Sequence, residues 1–392
     1  MTDLANFASV APLMWQKLLE LAKLFLKLGL IGFGGPPAHI ALMEDEVVRK
    51  RGWLSHQEFL DLVSATHLIP GPNSTELAIH IGLMRAGWLG LLVAGACFIL
   101  PAMTIVILVA WFYQNFGTLP AIQGFLYGIK PAMIAIIFDS ARRLSLPHKF
   151  GSEITTIMAC AFFARILGAP DLLIILVAGL AAMANQRRML NSKSLILAFL
   201  FLLTAPVAWA SLEASMSGTP FTQSRLFLFF LKTGSVLYGS GYVLLAFLEQ
   251  GLVRDYDWLT SQQLMDAIAV GQFTPGPVLT TATFIGYILA GTTGAVVATV
   301  AIFLPAFLLV PVSARGIQRL RQSARWSSFL DGLNAGSLGL LWAIGIIMAT
   351  ELPREPATFL LAGSTLIALT LRQVNSMWLM LGAAAIGILL KT

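Results

Sequence analysis

The chain has 392 residues, of which 57% are hydrophobic and only 11% charged. A soluble globular domain carries about 25% charged residues, so a large soluble helical core, which needs polar faces, is excluded. The net charge of +6 falls mostly in short loops between apolar stretches, the pattern of the positive-inside rule, and no nucleic-acid partner is expected. The start, MTDLANFASV, lacks the basic and compact apolar regions of a cleavable signal. Cys97 and Cys160 lie in apolar segments without CxxC spacing, which suits packing better than a disulfide or metal ligation.

Apolar stretches long enough to cross a bilayer, about 20 residues each, recur along the chain. In order, the predicted spans are 15–34, 54–86, 88–114, 119–140, 153–168, 171–186 and 194–212, then 225–248, 260–290, 293–314, 327–350, 357–371 and 375–391. The expected class is an all-α polytopic membrane protein with about thirteen transmembrane helices, arranged six, one and six.

The two sets of six are copies. FLKLG at Phe25–Gly29 returns as FLKTG at Phe230–Gly234, an offset of 205. At that offset Trp53-Leu54 meets Trp258-Leu259, Gln57 meets Gln262, and Asp61 meets Asp266. Pro70-Gly71-Pro72 likewise meets Pro275-Gly276-Pro277. After a one-residue deletion, Ile81-Gly82 meets Ile285-Gly286 and Leu100-Pro101-Ala102 meets Leu304-Pro305-Ala306. Hydrophobic bias alone does not align Trp, Asp, Gln and Pro-Gly-Pro together. The expected units are residues 1–192, a linker helix within 193–222, and residues 223–392.

Seven crossings precede the second copy, which predicts that it is inverted. The loop between the third and fourth spans is uncharged in copy one, whereas its mate holds Arg315, Arg319, Arg321 and Arg325. Equivalent loops of opposite charge bias belong on opposite sides of the membrane. With a cytoplasmic N-terminus, Arg142, Arg143, Lys149, Arg187, Arg188, Lys193 and Arg254 also fall inside. Arg49-Lys50-Arg51, Arg354 and Lys391 fall outside. The inversion requires that each Pro-Gly-Pro segment cross once rather than re-enter.

Unpaired backbone groups are costly inside a bilayer, yet Pro70-Gly71-Pro72 and Pro275-Gly276-Pro277 interrupt two spans. Each pair of prolines removes two donors, and the intervening glycine permits non-helical angles. The chain is expected to unwind there and restart as a half-helix at Asn73 and at Val278. Such an N-terminus offers free N–H groups and partial positive charge to an anion. Ser74, Thr75, Thr280 and Thr281 would add hydroxyl donors. A third irregular segment, Gly32–His39, holds Gly34, Gly35 and His39; its mate, Tyr238–Tyr242, is also glycine-rich. Neither matches a dinucleotide fingerprint or a P-loop, so no cofactor is expected.

Ionisable residues within spans are functional candidates because they are costly there. Lys27 and Lys232 match between copies; Lys130 lies mid-span, with Asn334 as its mate. These three lysines are candidate anion partners, with snorkelling to the interface the alternative for the first pair. Asp61, His67, Glu76 and His80 are candidate proton carriers. His80 lies one helical turn beyond Glu76, which suggests a pair, and His67 is replaced by Gln272 in copy two.

GFGGPPAH, the GWLS at Gly52–Ser55, the LIPGPNS at Leu68–Ser74, and the return of WL, Q, D and TPGP in a second half resemble the chromate ion transporter family in its long, two-domain form. The resemblance covers essentially the whole chain. It implies a secondary transporter that exports chromate across the inner (plasma) membrane and confers resistance, driven by proton motive force or membrane potential. Chromate and protons would be the partners, and the chain would not be an enzyme. The second half keeps Pro-Gly-Pro but lacks the Gly-Gly-Pro and the histidine, so the halves need not contribute equally.

Backbone amides, hydroxyls and a lysine suit any tetrahedral dianion, so sulfate stays an alternative on the chemistry. An intramembrane enzyme acting on a phosphorylated lipid is a second reading, and a channel a third. The two-fold arrangement of broken helices favours a carrier. A homodimer stays open.

Overall fold

A computed structural model describes residues 2–66, 69–145, 152–185, 220–238, 241–321, 323–372 and 374–391. His67, the span predicted at 194–212, and the loop cations Lys149, Arg187, Arg188 and Lys193 lie outside the described residues. The described residues form helices joined by short turns, with no strand among them. Among the described residues, four helical segments are long and apolar enough to cross a membrane: Asn73–Phe116, Pro120–Ser145, Val278–Val312 and Arg325–Thr350.

The first copy begins with α1 (Thr2–Ile31), α2 (Gly35–Glu44) running into a wide turn at Asp45–Lys50, and α3 (His56–Thr66). It continues with α4 (Asn73–Phe116), α5 (Pro120–Ser145), α6 (Ser152–Ile166) and α7 (Asp171–Asn185). The second comprises α8 (Gln223–Val236), α9 (Leu244–Leu248) running into Glu249–Asp255, and α10 (Ser261–Phe273). There follow α11 (Thr281–Arg321, entered through a tight turn at Val278–Thr280), α12 (Ala324–Thr350), α13 (Pro356–Arg372) and α14 (Ser376–Lys391). At 15 to 17 residues, α6, α7, α13 and α14 are shorter than an average span.

The duplication extends to backbone angles. Ala86 and Gly87 adopt φ/ψ of −146/26 and 61/−149, and Ala290 and Gly291 adopt −149/27 and 63/−153. At these points α4 and α11 fold back on themselves. A Cβ on Gly82 would lie 2.3 Å from the Gly90 carbonyl oxygen, and one on Gly286 would lie 2.3 Å from that of Gly294. Eight residues of straight helix span about 12 Å, so only a hairpin brings these backbones together. The boundaries predicted near residues 87 and 291 are therefore tight reversals that only a glycine at positive φ accommodates.

Each half surrenders its closing helices to the other. α5 packs against α13 and α14, while α12 packs against α6 and α7, and α4 meets α11 at the centre. Small residues let these helices approach closely. A Cβ on Gly128 would meet the Ala383 carbonyl oxygen at 1.9 Å, and one on Gly332 would meet that of Ala178 at 2.4 Å. The halves are thus interlocked rather than placed side by side.

Candidate functional site

The two Pro-Gly-Pro breaks sit where the halves meet. Helix α4 restarts at Asn73 and the second copy restarts at Val278, as the motif predicts. Gly71 and Gly276 have φ of 144° and 93°. The Gly71 N–H donates to the Leu237 carbonyl (2.7 Å), and the Gly276 N–H donates to the Gly32 carbonyl (2.8 Å). At the offset of 205 these are the same bond made twice, each half's broken helix donating to the end of the other half's first helix. The exchange satisfies donors that the breaks would leave orphaned.

The residues around the breaks differ between copies. Pro275, Gly276 and Pro277 are buried. The Thr280 hydroxyl donates to the Pro277 carbonyl and the Thr281 hydroxyl to that of Val278 (both 2.8 Å), so these hydroxyls already serve the local backbone. In copy one, Pro72, Asn73, Ser74 and Thr75 are buried behind half-buried Pro70. The Thr75 hydroxyl and both Glu76 carboxyl oxygens have no hydrogen-bond partner among the described residues. A Cβ on Gly71 would lie 2.3 Å from Glu76 Oε1, so the glycine makes room for this carboxyl.

His80 does not pair with the Glu76 carboxyl. Its Nδ1 lies 3.1 Å from the Glu76 carbonyl oxygen, the i−4 backbone acceptor on the same helix. His39 binds the same Gly32 carbonyl that Gly276 uses, through Nε2 at 3.0 Å. A carbonyl only accepts, so Nε2 carries the proton and the buried Nδ1 is left without a hydrogen-bond partner among the described residues.

The lysines are not gathered together. Lys27 donates to Glu46 (2.8 Å) with half its side chain exposed, and Lys232 is exposed. The expected symmetric pair of cations around an anion is thus not formed: one lysine is engaged by a carboxylate, and the other faces outward. Lys27, followed by Lys50, holds the Glu46 carboxyl down at about 2. Lys130 is buried and forms an ion pair with Asp266 at 2.6 Å, with side-chain exposures of 7% and 6%. The Tyr113 hydroxyl donates to the other Asp266 oxygen (2.8 Å). Asp61, the mate of Asp266, is exposed and held by Gln57 (3.2 Å). The asymmetry follows from the partner, because the mate of Lys130 is Asn334.

Two cavities of about 580 Å³ flank α5. The first is lined by Gly34 and Pro36 at the start of α2, Asn73 at the start of α4, and Asp139, Ser140 and Arg143 on the C-terminal half of α5. The α4 N-terminus and a guanidinium thus share one cavity, whereas the first turn of α2 has Pro36 and Pro37 in place of two N–H donors. Arg143 also binds Asp139 (2.6 Å) and the Leu369 carbonyl (3.2 Å). The second cavity is lined by Tyr113, Thr118, Lys130, Gln262, Asp266 and Lys391, among others, and uses the N-terminal half of α5. Lys130 and Ile136, one on each cavity, are separated by about 9 Å of helix, filled by the buried residues Pro131–Ala135. The residues expected to form one site are therefore divided. Gly34 and Asn73 line one cavity, and Lys130 lines the other.

Two clusters escaped the sequence reading as sites. Arg143 was legible only as a loop charge. Arg165, fully buried, binds Asp171 (2.8 Å) and Glu249 of the other half, and Glu249 also binds Arg254 (2.6 Å). An arginine inside an apolar span is itself a signal, and FFARILGAPD carries it. Among the described residues no group of His, Cys, Asp or Glu is arranged to hold a metal.

A model of the family described as "Chromate transporter" matches the chain twice, over residues 19–183 and 224–388. The chromate transport protein of Cupriavidus metallidurans is 31% identical over 99% of this chain and 96% of its own length. The probable chromate transport protein of Synechococcus elongatus is 31% identical over 89% of each chain. The chromate transport protein of Pseudomonas aeruginosa is 30% identical over 94% of this chain and 88% of its own. No solved structure matches.

Proposed function

Because this membrane chain belongs to the chromate transporter family, we propose that it exports chromate from the cytoplasm, driven by proton motive force, and so confers resistance. The observation that best supports the reading is the pair of cavities at opposite ends of α5. One offers the N-terminus of α4 and Arg143, and the other offers Lys130, all groups suited to a tetrahedral dianion. A buried septum about 9 Å thick separates them, the layout of a carrier that exposes one side at a time.

In this reading the halves are inverted repeats in the inner membrane, with the N-terminus cytoplasmic and the first cavity facing the cytoplasm. The reciprocal bonds of Gly71 and Gly276 support a two-fold relation between halves. Rocking about the Pro70–Thr75 and Pro275–Thr281 breaks would exchange access. Glu76 is the candidate for the coupled proton: its carboxyl lies against Gly71 and has no hydrogen-bond partner among the described residues.

The test is uptake of labelled chromate and labelled sulfate into inverted membrane vesicles, with and without an imposed proton gradient. Gradient-dependent chromate uptake is expected. Sulfate uptake of equal rate would reassign the substrate, and uptake of neither anion would sink the transporter reading.

A further inference from the structure

The Lys130–Asp266 pair is unusual for where it lies. Buried ion pairs are weak evidence for stability, since desolvation offsets much of the attraction. This one lines a cavity of about 580 Å³ instead of a packed core. Its cation comes from α5 of the first half and its carboxylate from α10 of the second. Beyond Asp266, α10 runs directly into Pro275-Gly276-Pro277. We propose that Asp266 is a tethered stand-in for the transported oxyanion: an anion entering this cavity takes Lys130 from Asp266 and thereby releases α10 from α5. This inference rests on the oxyanion-transporter reading above.

The exchange is chemically balanced. A tetrahedral dianion carries twice the charge of a carboxylate and gains correspondingly more from the ammonium in a partly dehydrated cavity. Asp266 is not stranded on release, because it keeps the Tyr113 hydroxyl (2.8 Å), and Gln262 lies one turn earlier on the same helix. The remaining charges in the cavity are Glu351 and Lys391, the latter 3.5 Å from Glu355. They carry opposite signs, so Lys130 is the cation that decides anion binding once Asp266 withdraws. Binding then removes a strut between the halves beside the second break, where movement is needed.

The test is equilibrium binding of chromate to the purified full-length chain in detergent. Asp266→Asn should tighten binding roughly tenfold by removing the competitor. Lys130→Gln should weaken it at least as much. Tyr113→Phe, which keeps both charges but takes from the released Asp266 its remaining hydroxyl donor, should weaken binding by a smaller factor, and it serves if Asp266→Asn is poorly folded. A pair that is only structural gives no gain of affinity. Unchanged or weaker binding in Asp266→Asn, or unchanged or tighter binding in Tyr113→Phe, with wild-type transport intact, overturns the role of Asp266 alone. Failure of the wild-type chain to bind or transport either chromate or sulfate overturns the transporter reading instead.

Discussion

Gly71 shows how one residue carries several demands. Its φ of 144° lies where side chains are strained, and its missing Cβ is the space that Glu76 Oε1 occupies. Its N–H is spent on the other half. Gly71→Ala should therefore destabilise the fold by about 1–3 kcal/mol through backbone strain and should also displace the Glu76 carboxyl. Thermal unfolding in detergent checks the first effect, and an unchanged midpoint would contradict it. The Pro-Gly-Pro motif made the break legible, because proline and glycine act through local geometry. The Lys130–Asp266 pairing was not legible. The partners lie on different halves of the chain, and no spacing rule reports which distant carboxylate a buried lysine meets.

At the scale of elements, the repeat was readable because both copies keep residues with strict local roles. Trp53 and Trp258 follow matching wide turns, where their N–H groups donate to Val47 and Leu252 at 2.8 and 2.9 Å. What sequence could not reveal was the exchange of helices. Hydrophobic periodicity shows that α5 and α14 have apolar faces, but not that each face belongs to the other half. The glycine seams carry that information. Gly128→Leu should force α5 away from α14 and cost about 1–3 kcal/mol or more, lowering the unfolding midpoint in detergent. A midpoint equal to that of the wild-type chain would show that this seam tolerates separation.

For the molecule as a whole, interlocking limits how the halves can move. The Arg165–Asp171–Glu249–Arg254 network binds α6 and α7 to the second half. Removing one partner of a buried pair is more costly than the pair is worth, so this network reads as a fixed anchor. The single Lys130–Asp266 pair, which borders a cavity, reads as the contact that can open. The candidate anion ligands are divided between two cavities because Gly34 and Asn73 meet the C-terminal half of α5, whereas Lys130 lies on its N-terminal half.

In the carrier reading these cavities face opposite sides of the membrane. The most direct test starts from a chain in which Cys97 and Cys160 are replaced, with a single cysteine then placed at Ser140 in the first cavity or at Thr118 in the second. Membrane-impermeant thiol labelling in right-side-out and inverted vesicles should modify Thr118→Cys only from outside and Ser140→Cys only from inside. Labelling of both positions from the same side would contradict the account.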